Sequence, residues 1–305
     1  MREKYDIVII GTGPAGYAAG LYGARGALRT LILGKGMAGG QMAYTNQIDN
    51  YPGASVGVGG FDLADNMKRQ AEYFGAEIRM TGASALDLSG REKIITLGDG
   101  TEVSAGSVVL AMGASPRLLG VPGEAALRGH GVSYCATCDG MFFRNKTVAV
   151  VGGGDTALED ALLLAKTSQK VYLIHRRDTF RATPLYVELA KQSEKIELVL
   201  SDTVDEICGE KSVTGVKLHS GRTLDCHGVF IAVGTVPNSK LVEGVVQCND
   251  KGYVVTDETM KTSVDGVFAA GDIRQKPLRQ VITAASDGAV AATSAGKYLL
   301  EQHLK

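Results

Sequence analysis

The stretch Tyr5-Asp6-Ile7-Val8-Ile9-Ile10-Gly11-Thr12-Gly13-Pro14-Ala15-Gly16 decides the fold. Its apolar run has no polar alternation, which describes a strand buried on both faces, as in a parallel sheet. The glycine run that follows supplies a tight turn and a backbone able to approach a pyrophosphate at the start of a helix. One such run is a weak signal. The same design recurs at Thr147-Val148-Ala149-Val150-Val151-Gly152-Gly153-Gly154-Asp155-Thr156-Ala157, and alanine is allowed at the third glycine position.

Working outward, short Val/Ile-rich runs occur at 30–34, 107–113, 170–174, 228–234 and 266–271. Helical stretches lie between them at 15–27, 61–74, 156–166, 185–193 and 280–304, with Asp155 at an N-cap position. The order of events repeats. A glycine turn is followed by a hairpin signal (Gly98-Asp99-Gly100, later Ser220-Gly221) and a strand ending in Gly-x-x-Pro (Gly113 to Pro116, later Gly234 to Pro237). This pattern predicts an α/β chain with two Rossmann-like, three-layer (β-β-α) nucleotide-binding domains. Residues beyond 246 carry a strand and a long helix but no glycine turn of their own. They are expected to complete the first domain, giving 1–115 with 246–305 as one domain and 116–245 as an insertion.

Composition narrows the function classes. Lys+Arg 32 against Asp+Glu 33 offers no basic face for nucleic acid and no surface charge for a membrane. No apolar run approaches the ~18 residues of a membrane span, and the first run ends on a turn and not on a cleavage site. A cytoplasmic protein is expected. Glycine, at 40 of 305 residues, is nearly twice the typical ~7%, without collagen period or low-complexity block. Five cysteines in a chain of this size do not describe a disulfide framework.

Strand ends discriminate the two nucleotides. The dinucleotide fingerprint expects an acidic residue about 20 positions on, holding the ribose hydroxyls. The second copy has His175-Arg176-Arg177 there, with Arg181 further on. Guanidiniums suit a 2′-phosphate, so this site is expected to take NADPH, although a solvated basic strand end has the same residues. The first copy reads Gly34-Lys35 and also lacks the acid.

Cys135-Ala136-Thr137-Cys138 is the chemical centre. A zinc site would need a second ligand pair, and Cys208, Cys226 and Cys248 are singletons, so no metal is expected and a redox pair is favoured. Asp139 can move a proton to or from a thiolate, or can simply be a turn aspartate before Gly140. NADPH gives up a hydride whereas a disulfide accepts electrons at sulfur. A flavin handles both, so the first site is expected to take FAD.

These parts, with Gly39-Gly40-Gln41, Asn50-Tyr51-Pro52-Gly53, Cys135-Ala-Thr-Cys-Asp-Gly140, His175-Arg-Arg-Asp-Thr-Phe-Arg181 and Ala269-Ala-Gly-Asp272 with Arg279-Gln280, resemble the bacterial-type, low-molecular-weight thioredoxin reductases over nearly the whole chain. The resemblance implies FAD on Gly11, Gly13, Pro14, Ala15, Gly16, Gly39, Gly40, Gln41, Asn50, Gly113, Gly271, Asp272, Arg279, Gln280 and Val281. It implies NADPH on Gly152, Gly154, Asp155, Thr156, Ala157, His175, Arg176, Arg177, Arg181 and Gly234. It assigns Cys138 to the flavin, Cys135 to attack on a thioredoxin disulfide and Asp139 to proton donation. It further implies a homodimer whose inserted domain rotates between half-reactions. Gly34, His130 and the Met141-Phe142-Phe143 edge depart from many relatives and bear on partner choice, not on the chemistry. Competing readings are a flavin-dependent dithiol oxidase, against which the arginines argue, and a non-catalytic nucleotide-binding redox sensor.

Overall fold

A computed structural model of the chain describes residues 2–303; Leu304, at the end of the expected last helix, lies outside them. Two compact units are formed, one by residues 1–115 with 236–305 and the other by 116–235. The chain begins with β1 (Glu3–Ile10), α1 (Pro14–Arg25), β2 (Thr30–Leu33), α2 (Gly60–Tyr73) and β3 (Glu77–Arg79). It continues through β4 (Ala83–Asp87), β5 (Lys93–Leu97), β6 (Glu102–Leu110) and β7 (Ala114–Pro116). The second unit holds β8 (Val132–Ser133), α3 (Ala136–Asp139), β9 (Thr147–Val151), α4 (Asp155–Ala165), β10 (Lys170–His175), α5 (Pro184–Gln192) and β11 (Ile196–Leu200). After β12 (Val204–Cys208), β13 (Gly215–Leu218), β14 (Thr223–Asp225) and β15 (Gly228–Ile231), the chain returns through β16 (Thr235–Pro237), β17 (Val267–Ala269) and α6 (Val281–His303).

In the first unit the strand order is β3-β2-β1-β6-β5-β4, with β17 also paired to β6. β1, β2, β3, β6 and β17 run parallel, while β4 and β5 form an antiparallel ladder on the first half of β6. The pleat sends alternate residues to opposite faces. Ile7, Ile9, Ile32 and Val109 pack under helical alanines such as Ala15, Ala19, Ala71 and Ala291. Val8, Ile10, Leu31 and Val108 pack on the other face with Leu88, Ile95, Leu97 and Val242. Both faces are dry, which is why the strands read as unbroken apolar runs.

The second unit repeats the plan. Its sheet has the order β11-β10-β9-β15-β8, and β12-β13-β14 form a separate antiparallel meander. Val148, Val150, Val171 and Leu173 face Ala157, Ala161 and Leu164 of α4. Ala149, Val151 and Ile174 face Ile207, Val216 and Leu224 of the meander. Helices, sheet and meander are the three layers.

The return to the first unit falls at residue 236, not at 246 as expected. The reason is packing: Val242 is fully buried in the core that holds Val8 and Val108, so residues 236–245 belong to that unit. The two crossing segments pair as the ribbon β16-β7. Asp155 also differs from expectation. Gly154 is the N-cap of α4 and Asp155 its first residue, because the Asp155 carboxylate instead accepts a hydrogen bond of 2.6 Å from the Thr183 N–H.

Candidate redox and nucleotide sites

In the first unit, Gly11 leaves β1 at φ +128°, and a side chain there would overlap the Ala111 carbonyl. Only glycine combines that conformation with that closeness. Gly13 then caps α1 with extended backbone, and Pro14 opens the helix without a side-chain cap. Proline removes one N–H that would have no partner, and the next N–H groups stay available at the positive end of the helix dipole. A Cβ built on Gly13 would meet nothing within 4 Å, so the turn is not filled by protein. Gly39 N–H donates to the Thr12 carbonyl at 2.9 Å, and Gly40 backs onto Gly13.

The return segment closes on this turn. Gly271 lies against Ala15 at φ +78°, and Asn50 Nδ2 donates to Gln280 Oε1 at 3.0 Å. Asp272 Oδ1 and Arg279 Nε are buried without a hydrogen-bond partner. Burial pushes the Asp272 carboxyl above its ordinary value, opposed by the charges of Lys276 and Arg279. An orphaned buried acceptor and donor beside an open phosphate-type turn fit a dinucleotide with ribose hydroxyls. Thus residues 11–16, 39–41, 50 and 271–281 are brought together. Gly113 ends the neighbouring strand with open space beside it, and its carbonyl accepts the Asn238 N–H.

The second unit has an equivalent turn. Gly152 sits at φ +159°, Gly154 caps α4 with nothing within 4 Å of a Cβ, and Ala157 packs against Gly152. His175 is buried against Gly153, its Nε2 3.1 Å from the Thr179 carbonyl and its ring stacked on Phe180. Burial and then the charges of Arg177, Arg176 and Arg181 hold its imidazole below its ordinary value, hence neutral at pH 7. His175 therefore supports the turn. Arg181 N–H donates to the Gly153 carbonyl at 2.9 Å, which ties that arginine to the turn. Arg176, Arg177 and Arg181 are exposed, and none forms an ion pair among the described residues. Thr156 is exposed beside them, and Gly234 ends β15's loop at φ +104°.

Cys135 and Cys138 form a disulfide with Cα atoms 5.3 Å apart. Cys135 is the N-cap of α3, and its sulfur accepts the Cys138 N–H at 3.2 Å. Asp139 is the last residue of that turn. Burial raises its carboxyl above its ordinary value, and the Ser133 hydroxyl, donating at 2.6 Å, pulls it back. The same hydroxyl accepts the Cys135 N–H at 3.1 Å. Ser133 thus braces both the cysteine backbone and the carboxylate. Glu124 braces the approach: it is buried and accepts from Leu119 N–H, Gly120 N–H and the hydroxyl of Tyr134, which precedes Cys135.

The chain that carries this disulfide and the two dinucleotide-type turns matches the family profile "pyridine nucleotide-disulphide oxidoreductase" over residues 5–288. The chain belongs to this family. It is 47% identical over 307 residues to the thioredoxin reductase of Mycolicibacterium smegmatis, covering 99% of this chain and 98% of that protein. It is 46% identical over 310 residues to the thioredoxin reductase of Peptoclostridium acidaminophilum, covering 98% of each. The crystal structure of thioredoxin reductase from Streptococcus pyogenes MGAS5005 superposes with a TM-score of 0.93 at 39% identity, covering 99% of this chain and 100% of that one. The chain is an oxidoreductase with the fold of these structures.

Sequence reasoning missed Ser133, Glu124, Asn238, Lys276 and Asp287. Ser133 stands two residues ahead of the pair, but a serine in that place carries no signal until the chain folds. Asn238 acts across more than 100 positions, and Glu124, Lys276 and Asp287 belong to no local motif. No cluster of metal-ligating side chains occurs among the described residues, and no helix of those residues is long and apolar enough to cross a membrane.

Thiol chemistry separates the cysteines. Burial raises the Cys226 thiol to about 12 and also raises that of the half-buried Cys248. Alkylation of the oxidised native protein at neutral pH, read by peptide mass spectrometry, should leave Cys226 unmodified longest. Prior reduction should add Cys135 and Cys138 to the labelled set. Rapid labelling of Cys226 in folded protein would contradict this ordering.

Proposed function

We propose that the protein is an NADPH-dependent thioredoxin-disulfide reductase, carrying electrons from NADPH through FAD to Cys135–Cys138 and on to oxidised thioredoxin. The observation that carries the reading is the Cys135–Cys138 disulfide with Asp139 beside it, in a unit that also holds a glycine turn flanked by arginines and no ribose-binding acid. The thioredoxin reductases at 46–47% identity support it. Bound at their turns, NADPH supplies a hydride and FAD hands the electron pair on to sulfur.

The chain's own residues do the rest. In the first unit the turn at Gly11, Gly13, Pro14, Ala15 and Gly16 is assigned the FAD pyrophosphate. Gly39, Gly40, Gln41, Asn50 and Gly113 line that site. The buried, unpartnered Asp272 Oδ1 is offered to a hydroxyl, and Arg279, Gln280 and Val281 close the other side. In the second unit Gly152, Gly154, Asp155, Thr156 and Ala157 form the NADPH turn, His175 and Gly234 flank it, and Arg176, Arg177 and Arg181 meet the 2′-phosphate.

In the thiol half-reaction the Cys135 thiolate attacks one sulfur of the thioredoxin disulfide, forming a mixed disulfide and releasing the other sulfur as a thiolate. Asp139 passes a proton to that leaving sulfur. Cys138 then attacks the Cys135 sulfur and gives up its thiol proton. The bond from Cys135 to thioredoxin breaks as the internal disulfide reforms. Thioredoxin's second sulfur takes up that proton, and thioredoxin leaves as a dithiol. Rotation of the inserted domain at the two crossings, homodimerisation and a cytoplasmic place belong to the same proposal.

The decisive experiment is anaerobic titration of the oxidised protein with NADPH, which should bleach a flavin band and expose two thiols per chain. A Cys138→Ser protein that still reduced thioredoxin at the normal rate would sink the reading. For the nucleotide, Arg181→Ala should weaken NADPH binding about tenfold, as for one charge-assisted contact, and leave NADH binding unchanged; equal loss for both would remove the 2′-phosphate role. For the proton, Asp139 donates in its protonated form, so the donating step weakens as pH rises through its pKa. Ser133→Ala removes a bond that favours the carboxylate, raises that pKa further, and should move the falling limb of kcat/KM for thioredoxin to higher pH. A limb that stays put or moves down would exclude Asp139 as its source.

A further inference from the structure

One buried ion pair lies beside the proposed FAD site and has no part in any motif. Asp287 stands in the second turn of α6 and is 7% exposed. Its Oδ2 accepts two hydrogen bonds, one from the Gly271 N–H at 3.0 Å and one from Lys276 Nζ at 2.6 Å. The Lys276 side chain is itself 4% exposed, and Arg274 Nη1 lies 3.7 Å from Asp287 Oδ1. Gly271 begins the short turn Gly271–Ile273 that carries Asp272, the residue whose Oδ1 is buried without a partner. One carboxylate therefore fastens that turn to α6.

Two carboxylates, Asp272 and Asp287, share this small volume: burial and then the Asp287 charge push the Asp272 carboxyl up, while Lys276 and Arg279 pull it down. A buried ion pair adds little net stability compared with an apolar pair of the same shape, yet removing one partner leaves an uncompensated charge. What such a pair does well is hold one geometry. Here the held element is the backbone of Gly271, at φ +78° against Ala15 of α1, so the turn cannot shift without opening its contact with the phosphate helix.

We propose that Lys276 and Asp287 are positioning residues for FAD: their ion pair fixes the Gly271–Asp272 turn and with it the place of the Asp272 carboxyl, which faces a flavin-nucleotide hydroxyl. The proposal rests on the reading that FAD occupies this unit. Neither residue need touch the cofactor. Lys276 acts by compensating Asp287, and Asp287 acts through the Gly271 N–H.

The test uses the holoenzyme and reads the FAD dissociation constant from the rise of free-flavin fluorescence on dilution, with thermal unfolding followed in parallel. Lys276→Met should weaken FAD retention by about tenfold or more, the scale of coupling within one charge network. Asp287→Asn keeps an oxygen for the Gly271 N–H and should weaken it less. The double variant Lys276→Met/Asp287→Asn should hold FAD more tightly than Lys276→Met alone, because the unpaired carboxylate is gone. Lys276→Arg, which restores the charge, should bind FAD nearly as the natural chain does and serves if Lys276→Met does not fold. An unchanged FAD constant in Lys276→Met, or a double variant no better than Lys276→Met, overturns the proposal. A lower unfolding temperature with an unchanged FAD constant also overturns it, since that is a structural role only. Asp272→Ala separates the two layers: if it leaves FAD binding intact, the placement of FAD itself fails. If Asp272→Ala releases FAD while Lys276→Met does not, only the positioning role fails.

Discussion

Main-chain N–H groups at a helix start can reach a phosphate only where no side chain stands between and where the chain turns from strand to helix within a few residues. Gly11 and Gly152 meet the second demand. Each takes a backbone conformation that side-chain-bearing residues rarely adopt, and each presses on the carbonyl of a neighbouring segment, Ala111 or Ala232. Gly13 and Gly154 meet the first, with open space where a Cβ would stand. The rest of each unit is organised to present that turn. The strands beside each turn run parallel so that their ends gather on one side, and both sheet faces are covered so that the strands hold their places.

The units share this plan and diverge at the end of their second strand. After β2 comes Gly34, where a Cβ would lie 2.6 Å from both Met80 Sδ and Thr12 Cγ2. That place is filled by apolar atoms and has no room for an acid. After β10 come the buried, neutral His175 and the exposed Arg176 and Arg177. In the first unit the returning segment brings Asp272 and Arg279 to the turn, each with a buried polar atom that has no hydrogen-bond partner.

How much of this was legible depends on the range of the interaction. The glycine turns, β1, β2, β9 and β10 and all the long helices declare themselves in local sequence, because both sheet faces are dry and the apolar runs are unbroken. β3, β4, β8, β11 and β12 do not. They are short or lie at an edge, and sequences such as Ala83–Asp87 alternate too weakly to stand out. The crossing at 236 carries no local signal, because only folding shows Val242 inside the first core. Asp155 looked like a cap because the Thr183 N–H that claims its carboxylate is 28 residues away. Among site residues, those that approach ligand through backbone were visible as glycine patterns. Those that act through other residues, such as Ser133 and Asp287, were not.

The chemistry of the redox turn follows from its asymmetry. Cys135 caps α3 and its sulfur receives the Cys138 N–H. Asp139 sits in the same turn with its carboxyl raised by burial. Ser133 sets the limit on that shift while fixing the Cys135 backbone. Cys135 and Asp139 are therefore braced by a single hydroxyl.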